Sequence, residues 1–185
     1  MSHMNETIKS IMERYSCRDF SGAPLTDDQV KIISHAALAA PSAMNAQPWH
    51  IIVITDKALI DELDADGMDI LNAQGGDGAK RMADRGGKLF YNAPCLVIIA
   101  QDSSHYATVD CGIATQNVSI AAHALGLGNV ICGMARIPIC GPKAEEWAKR
   151  LKIPEGYSFG MSVCIGAAQS GKEPHELNFD KLTII

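Results

Sequence analysis

Apolar residues return at helical spacing at the start of the chain, where Ile8, Ile11 and Met12 mark one side of a short helix over residues 5–14. Ser16 to Pro24 reads as loop. Thr26 then stands as an N-cap, with Asp27 and Asp28 in the first turn and Gln29 at the capping-box position. The helix that follows should reach about Ala39, with Val30, Ile33, Ala37 and Leu38 as its apolar face, and Pro41 ends it. His50–Ile54 is a β-rich run, and Lys57–Asp66 returns to helical spacing. From Gly67 to Gly87 the periodicity fails at Gly75, Gly76, Gly78, Gly86 and Gly87, which predicts a mobile lid or excursion with weak helices over 67–88. Cys95–Ala100 is uninterruptedly apolar and reads as a buried strand. Thr108–Leu125 is a long helix, expected to turn Val109, Ile113, Ile120 and Ala124 inward and to close at Gly126-Leu127-Gly128. Asn129–Cys132 should be a strand, Lys143–Leu151 a helix, and Ser158–Gly166 a final strand before a polar tail.

Helices and strands therefore mix along the whole chain. The strands are too few and too short for a doubly wound parallel sheet, and Gly126-x-Gly128 follows a helix where a dinucleotide fingerprint would follow a strand. The pattern fits an α+β layer fold in a single domain over 1–185. At 185 residues such a domain buries a sizeable core without disulfide staples. Its charge of −5 disfavours nucleic-acid and anionic-membrane partners. The longest apolar stretch falls far short of the roughly 20 residues that span a bilayer. Residues 1–15 carry Glu6, Lys9, Glu13 and Arg14, unlike a signal peptide. Six cysteines without a CxxC pair, several in apolar surroundings, are expected as reduced, mostly buried thiols in the cytoplasm. The six histidines are scattered, so no metal site is expected.

Three clusters carry candidate chemistry. Arg14-Tyr15-Ser16-Cys17-Arg18 sets two guanidiniums about a hydroxyl at two-residue spacing. Extended, Arg14, Ser16 and Arg18 would face one side and suit a phosphate dianion through forked, charge-assisted hydrogen bonds. A solvated basic turn is the other reading. Pro41, Ser42, Ala43, Asn45 and Gln47 belong to a proline-stiffened loop ending at Pro48-Trp49, offering neutral hydrogen-bonding groups among small residues. It suits the edge of a heterocycle, or is a rigid connection capped by its own Ser and Asn. Ile131-Cys132-Gly133 closes a strand where a glycine lets a backbone N–H face a ligand; the plainer reading is an ordinary strand end.

Taken together, the chain resembles the nitroreductase family of FMN-dependent oxidoreductases. The resemblance rests on Arg14-x-Ser16-x-Arg18-x-Phe20, on Pro41-Ser42-Ala43-Met44-Asn45-Ala46-Gln47-Pro48-Trp49, on Ala93-Pro94 before an apolar strand, and on Asp110-x-Gly112-x-Ala114-x-Gln116-Asn117 through Gly128, in family order. It implies a mostly antiparallel sheet packed by helices in an interlocked homodimer, with FMN at the subunit interface. By position, Arg14, Tyr15, Ser16 and Arg18 would hold the cofactor, with Arg14 and Ser16 at the phosphate and ribityl end and Arg18 at the pyrimidine edge. Pro41, Ser42, Ala43, Asn45 and Gln47 would come from the partner subunit. Ile131, Cys132 and Gly133 would lie beside the ring, with a backbone N–H on flavin N5. The chemistry would be carried by the flavin and not by a catalytic side chain. Lys172 matches the lysine of a C-terminal Lys-x-Arg pair, but Pro174 stands in place of the arginine, and Cys132 stands where some relatives carry Glu. The implied activity is ping-pong transfer from NADH or NADPH through FMN to a small-molecule acceptor such as a nitroaromatic or quinone. Alternatives on the same fold are a dehalogenase, an enoyl reductase, a flavin-fragmenting enzyme or a non-catalytic flavin sensor. Residues 67–88, with Lys88, match poorly and leave the acceptor open.

Overall fold

The structure is a computed structural model that describes residues 5–185, so the first four residues of the expected domain and of the N-terminal stretch lie outside it. Its centre is a four-stranded sheet in the order β1 (Trp49–Ile54), β2 (Cys95–Gln101), β4 (Ser158–Gly166), β3 (Gly128–Ile131). All three pairings are antiparallel. Strand β2 runs through the middle and is covered on both faces; Cys95 to Ala100 are fully buried. That burial explains an apolar run with no alternation, a pattern more familiar from parallel sheets.

Two helical layers cover the sheet. On one face Leu96, Ile98, Val130 and Cys164 pack with Ile60 and Leu63 of α3 (Lys57–Gln74), Ile139 of α6 (Arg136–Ile139) and Trp147 of α7 (Ala144–Arg150). On the other, Val97, Ile99, Val163 and Ile165 meet Ile33 and Ala37 of α2 (Asp27–Leu38) and the inner face of α5 (Ala107–Ala124). The short α1 (Glu6–Glu13) is N-capped by the Asn5 side chain and packs on α5.

The capping box before α2 is present in full. The Thr26 hydroxyl accepts from Gln29 N–H at 3.2 Å, and the Gln29 side chain accepts from Thr26 N–H at 2.9 Å. Thr26→Ala should cost about 1 kcal/mol, lowering the thermal midpoint by roughly 2–4 °C for a domain of this size, while Thr26→Ser stays near wild type. Equal midpoints for Ala and wild type would remove the cap from the stability of the domain. Helix α5 ends in a Schellman motif, with Leu127 N–H on Ala122 O and Gly126 N–H on His123 O.

Three expectations are corrected. The helix begun at Lys57 does not break at Gly67; it runs to Gln74, and α4 (Gly76–Ala83) follows. Gly67 is a packing glycine, since a Cβ there would collide with the buried Leu89 Cδ1 and come within 3.0 Å of Pro138 Cδ. Leu38 on α2 is 54% exposed and lies off the buried face. The inward face of α5 is formed by Cys111, Ala114, Val118 and Ala122 and not by Val109 or Ala124; Val109 is 61% exposed. Small side chains let α5 approach the sheet closely, so size and not hydrophobicity selects the buried stripe. Its buried polar residues are paired: Thr115 Oγ1 donates to Cys111 O and Ser119 Oγ to Asn129 Oδ1.

Candidate functional site

The segment after α1 lies along β3, an edge of the sheet. Cys17 N–H donates to Asn129 O at 2.9 Å, and Ser16 makes a parallel bridge to Asn129. A Cβ on Gly128 would meet Cys17 Sγ at 2.8 Å, so this close approach requires glycine there. The chain after β4 then returns beside the same segment. Phe20 bridges Ala168, Ser21 N–H donates to Ala167 O, and Gln169 N–H donates to Asp19 O. The Tyr15 hydroxyl donates to Ser170 O at 3.1 Å. These bonds carry the tail past the basic segment.

The two stretches enclose a cavity of about 360 Å³. Arg14, Tyr15, Ser16 and Arg18 line it together with Lys172, Glu173, Pro174 and His175. The residues expected at the phosphate end, separated by more than 150 positions, thus meet. Arg14 Nη1 is buried with no hydrogen-bonding partner. Burial lowers the pKa of this guanidinium, which still stays charged at any ordinary pH. A buried cationic donor without an acceptor is costly, and an anion in the cavity would complete it. Arg18 is exposed and its guanidinium reaches Ser16 O at 3.5 Å. Burial raises the Tyr15 pKa, with the neighbouring Cys17 adding to the shift.

Ile131, Cys132 and Gly133 lie at the end of β3. Cys132 N–H donates to Ser162 O at 2.8 Å, and Ser162 Oγ donates to Cys132 O. The Cys132 thiol is buried against Leu89 O and Cys164. Hydrogen bonding with Cys164 pulls its pKa down and pushes that of Cys164 well up, and the Arg18 charge also favours the Cys132 thiolate. Gly133 opens a 3₁₀ turn over Gly133–Ala135, so its N–H has no acceptor within that turn. Gly133 is exposed, and a Cβ built on it would touch nothing within 4 Å.

Pro41, Ser42, Ala43, Asn45 and Gln47 form a separate loop that does not line the Arg14 cavity. The Ser42 hydroxyl accepts from Gln47 N–H at 2.9 Å, and Asn45 Oδ1 accepts from Gln47 Nε2 at 3.2 Å. Met44, Asn45 and Gln47 hold positive φ values of 53°, 54° and 49° without a glycine among them. Left-handed backbone costs a non-glycine residue about 1–2 kcal/mol. Such strain collected on an exposed loop points to use of its shape, and Met44 projects fully into solvent.

Two anchoring carboxylates have roles that the sequence does not assign, although Asp110 stands in a quoted motif. Asp110 on α5 is buried and accepts Ala43 N–H with both oxygens, at 3.2 and 3.3 Å, tying down the strained loop. Asp64 on α3 is buried and accepts Leu89 N–H at 3.1 Å and Phe90 N–H at 2.9 Å, holding the segment whose Leu89 carbonyl meets the Cys132 thiol. Both act on backbone donors far away in the chain, and such contacts leave no side-chain motif. Among the described residues, no group of three or more His, Cys, Asp or Glu gathers to hold a metal ion. Among the described residues, no helix is long and apolar enough to cross a membrane either.

This chain is similar to known proteins. Residues 11–167 match the Nitroreductase family. An Archaeoglobus fulgidus protein, provisionally named an NADH dehydrogenase/NAD(P)H nitroreductase, is 30% identical over 94% of this chain and 91% of its own length. An NADPH-flavin oxidoreductase of Vibrio harveyi is 28% identical over 92% of this chain and 69% of its own. The crystal structure of a nitroreductase with bound FMN from Desulfitobacterium hafniense superposes with a TM-score of 0.94 at 44% identity, covering 99% of this chain and all of that one. A match that runs from the end of α1 to the end of β4, together with a shared fold along nearly the whole chain, places this protein in the nitroreductase family.

Proposed function

We propose that this protein is an NAD(P)H-dependent FMN oxidoreductase, working by a ping-pong cycle in which NADH or NADPH delivers two electrons and an electron-poor acceptor then removes them. The observation that carries the reading is the buried, unpartnered guanidinium nitrogen of Arg14, a residue that lines one cavity with Ser16, Arg18 and Lys172. The donor set fits a phosphate monoester: charge-assisted forked bonds from Arg14, a hydroxyl from Ser16 and a point charge from Lys172. Bound FMN supplies hydride exchange with nicotinamides and with reducible acceptors.

The chain's own residues bind, orient and set the field. Arg18 brings a positive charge toward the flavin's pyrimidine edge, where negative charge gathers on reduction. Gly133 offers a backbone N–H without side-chain obstruction, suited to hold the ring through N5. The loop with Pro41, Ser42, Ala43, Asn45 and Gln47 lies apart from its own chain's Arg14 cavity, and its place is over the site of a second copy. A homodimer is supported by the apolar surface left open: Ile8, Ile11 and Met12 on α1, Val109 on α5, and Leu177, Phe179, Leu182 and Ile184 in the tail. With FMN held by these residues, donor and acceptor would use the same site in turn, and nitroaromatics or quinones would be acceptors of the class such a site takes.

The test is an absorption spectrum of FMN-loaded, desalted protein, followed without oxygen as NADH and then NADPH is added. Retained flavin colour that bleaches is the expected result, and the more effective donor identifies the reductant. Retained colour that resists both donors would make the protein a flavin sensor or a specialised enzyme with another reductant. Loss of colour on desalting would overturn the cofactor assignment.

A further inference from the structure

Two buried thiols meet across the sheet at the strand end that closes with Gly133. Strand pairing sets Val130 opposite Cys164 and Ile131 opposite Val163. One residue on, Cys132 N–H donates to Ser162 O at 2.8 Å. Side chains alternate along a strand, so Cys132 and Cys164 project from the same face, offset by two positions, and both belong to the core that contains Ile60 and Leu63 of α3. The Cys132 thiol rests between Leu89 O, at 3.6 Å, and the Cys164 sulfur. We propose that Cys132 and Cys164 are an oxidation site for hydroperoxides, at which the two thiols close to a disulfide and thereby loosen FMN. The disulfide stands apart from the cofactor reading; its effect on FMN rests on that reading.

The two sulfurs take different parts. Cys132 is 4% exposed and sits between the exposed Ile131 and Gly133, whereas Cys164 is fully buried. A small hydroperoxide therefore meets Cys132 first. Hydrogen bonding with Cys164 favours the Cys132 thiolate against burial, helped by the Met134 and Ala135 N–H groups and the Arg18 charge. The thiolate is the nucleophile of this chemistry. With hydrogen peroxide, an S–O bond forms at Cys132 and the O–O bond breaks, leaving a sulfenic acid. The expelled hydroxide departs as water with the proton that Cys132 released. The Cys164 thiol then gives up its proton and attacks the same sulfur. The S–S bond forms, the S–O bond breaks, and a second water leaves. Two electrons have passed from the thiols to the peroxide, and a small dithiol reverses the closure by exchange. Other buried thiols lack these aids. Burial pushes Cys95 up to about 12 and Cys111 up to about 11, and it raises Cys17 as well.

Closure must move the strand end. Positions offset by two across an antiparallel pair lie about 7–8 Å apart, and a disulfide holds its Cα atoms at about 4.4–6.8 Å. Cys164 is fixed within β4, paired to Leu96 on one side and to Val130 on the other. Cys132 lies just past the end of β3, and a Cβ on Gly133 would meet nothing within 4 Å. Cys132 is therefore the residue that shifts, and the Gly133 N–H assigned to flavin N5 shifts with it.

The experiment uses the full-length Cys140→Ser protein, which lacks the exposed thiol, freed of cofactor, reduced, and then treated with hydrogen peroxide. Intact mass and mapping of linked peptides follow the sulfurs, and fluorescence titration with FMN follows the site. The expected result is a loss of two hydrogens, a Cys132–Cys164 linkage, and FMN binding weakened about three- to tenfold, as for one hydrogen bond lost. Dithiothreitol should undo all three. Cys164→Ala in the same background should stop at the Cys132 sulfenic acid, one oxygen heavier and trapped by a 1,3-diketone. A peroxide-treated protein that keeps both hydrogens, or that links other cysteines, overturns the proposal, whether or not Cys164→Ala folds. A Cys132–Cys164 disulfide with unchanged FMN affinity overturns the effect on the cofactor. Failure of the reduced protein to bind FMN overturns the cofactor reading, while mass and linkage still decide the thiol pair.

Discussion

Replacing Arg14 with alanine is expected to weaken FMN binding by roughly 30- to 150-fold, corresponding to the loss of about 2–3 kcal/mol of charge-assisted hydrogen bonding. The same change should leave the cofactor-free protein as stable as wild type, or more so. Nη1 of Arg14 is buried without a partner, so in the absence of an anion its desolvation is uncompensated, and removing it relieves that cost. Thermal melts with and without FMN separate the two effects. The midpoint without cofactor should hold or rise, while the rise on adding FMN should shrink, since a ligand stabilises the fold in proportion to the logarithm of its occupancy. Riboflavin should respond far less than FMN to the substitution. A fall in cofactor-free stability with unchanged FMN affinity would make Arg14 a structural residue and remove it from the site.

The second large effect belongs to Asp64. Its carboxylate receives the N–H groups of Leu89 and Phe90, both fully buried. Asp64→Ala leaves two donors with no acceptor and no water, at a cost of about 2–4 kcal/mol, a large part of the 5–15 kcal/mol that holds a typical domain. A drop of roughly 5–15 °C in melting temperature should follow. Asp64→Asn keeps one acceptor oxygen and should lose less than half as much. Because Leu89 O also meets the Cys132 thiol, Asp64→Ala should loosen the strand end beside Gly133 and weaken FMN as well.

The pH dependence has a defined sign. Burial is the dominant influence on Asp64 and raises its pKa, against the opposing pull of its two backbone hydrogen bonds. A carboxyl group whose folded value lies above its unfolded value favours folding in its protonated form. That contribution is complete below the ordinary carboxylate range and is lost as pH rises through the raised folded value. The Asn variant does not titrate there. Denaturant unfolding at acid and neutral pH should thus show the stability gap between wild type and Asp64→Asn narrowing as pH rises. A gap that widens would mean that the two N–H bonds outweigh burial.

Much of the architecture is legible in local pattern. The Thr26-x-x-Gln29 box, the Gly126 stop and the apolar run at Cys95 each express a short-range rule, and each lies where that rule puts it. The errors have one kind of origin. The end placed at Asp66 follows from periodicity that fails among the glycines between Gly67 and Gly87, yet Leu89 and Pro138 press on Gly67 and α3 continues through it. The inward face assigned to α5 follows hydrophobicity, yet the sheet admits Ala114 and Ala122 and leaves Val109 outside. Packing against distant elements overrides local preference in both places.

The candidate site divides in the same way. Residue type and two-residue spacing single out Arg14, Ser16 and Arg18, because a phosphate demands forked cations and a hydroxyl whatever the fold. Nothing local announces that Lys172 shares one cavity with them, that Asp64 and Asp110 hold backbone N–H groups far along the chain, or that Arg14 keeps a buried nitrogen free. These facts depend on where β3 and the tail meet the segment after α1. The chemistry of individual groups is written in the order of residues. Which groups share a cavity, and which donors are left without acceptors, is set only when sheet pairing brings remote segments together.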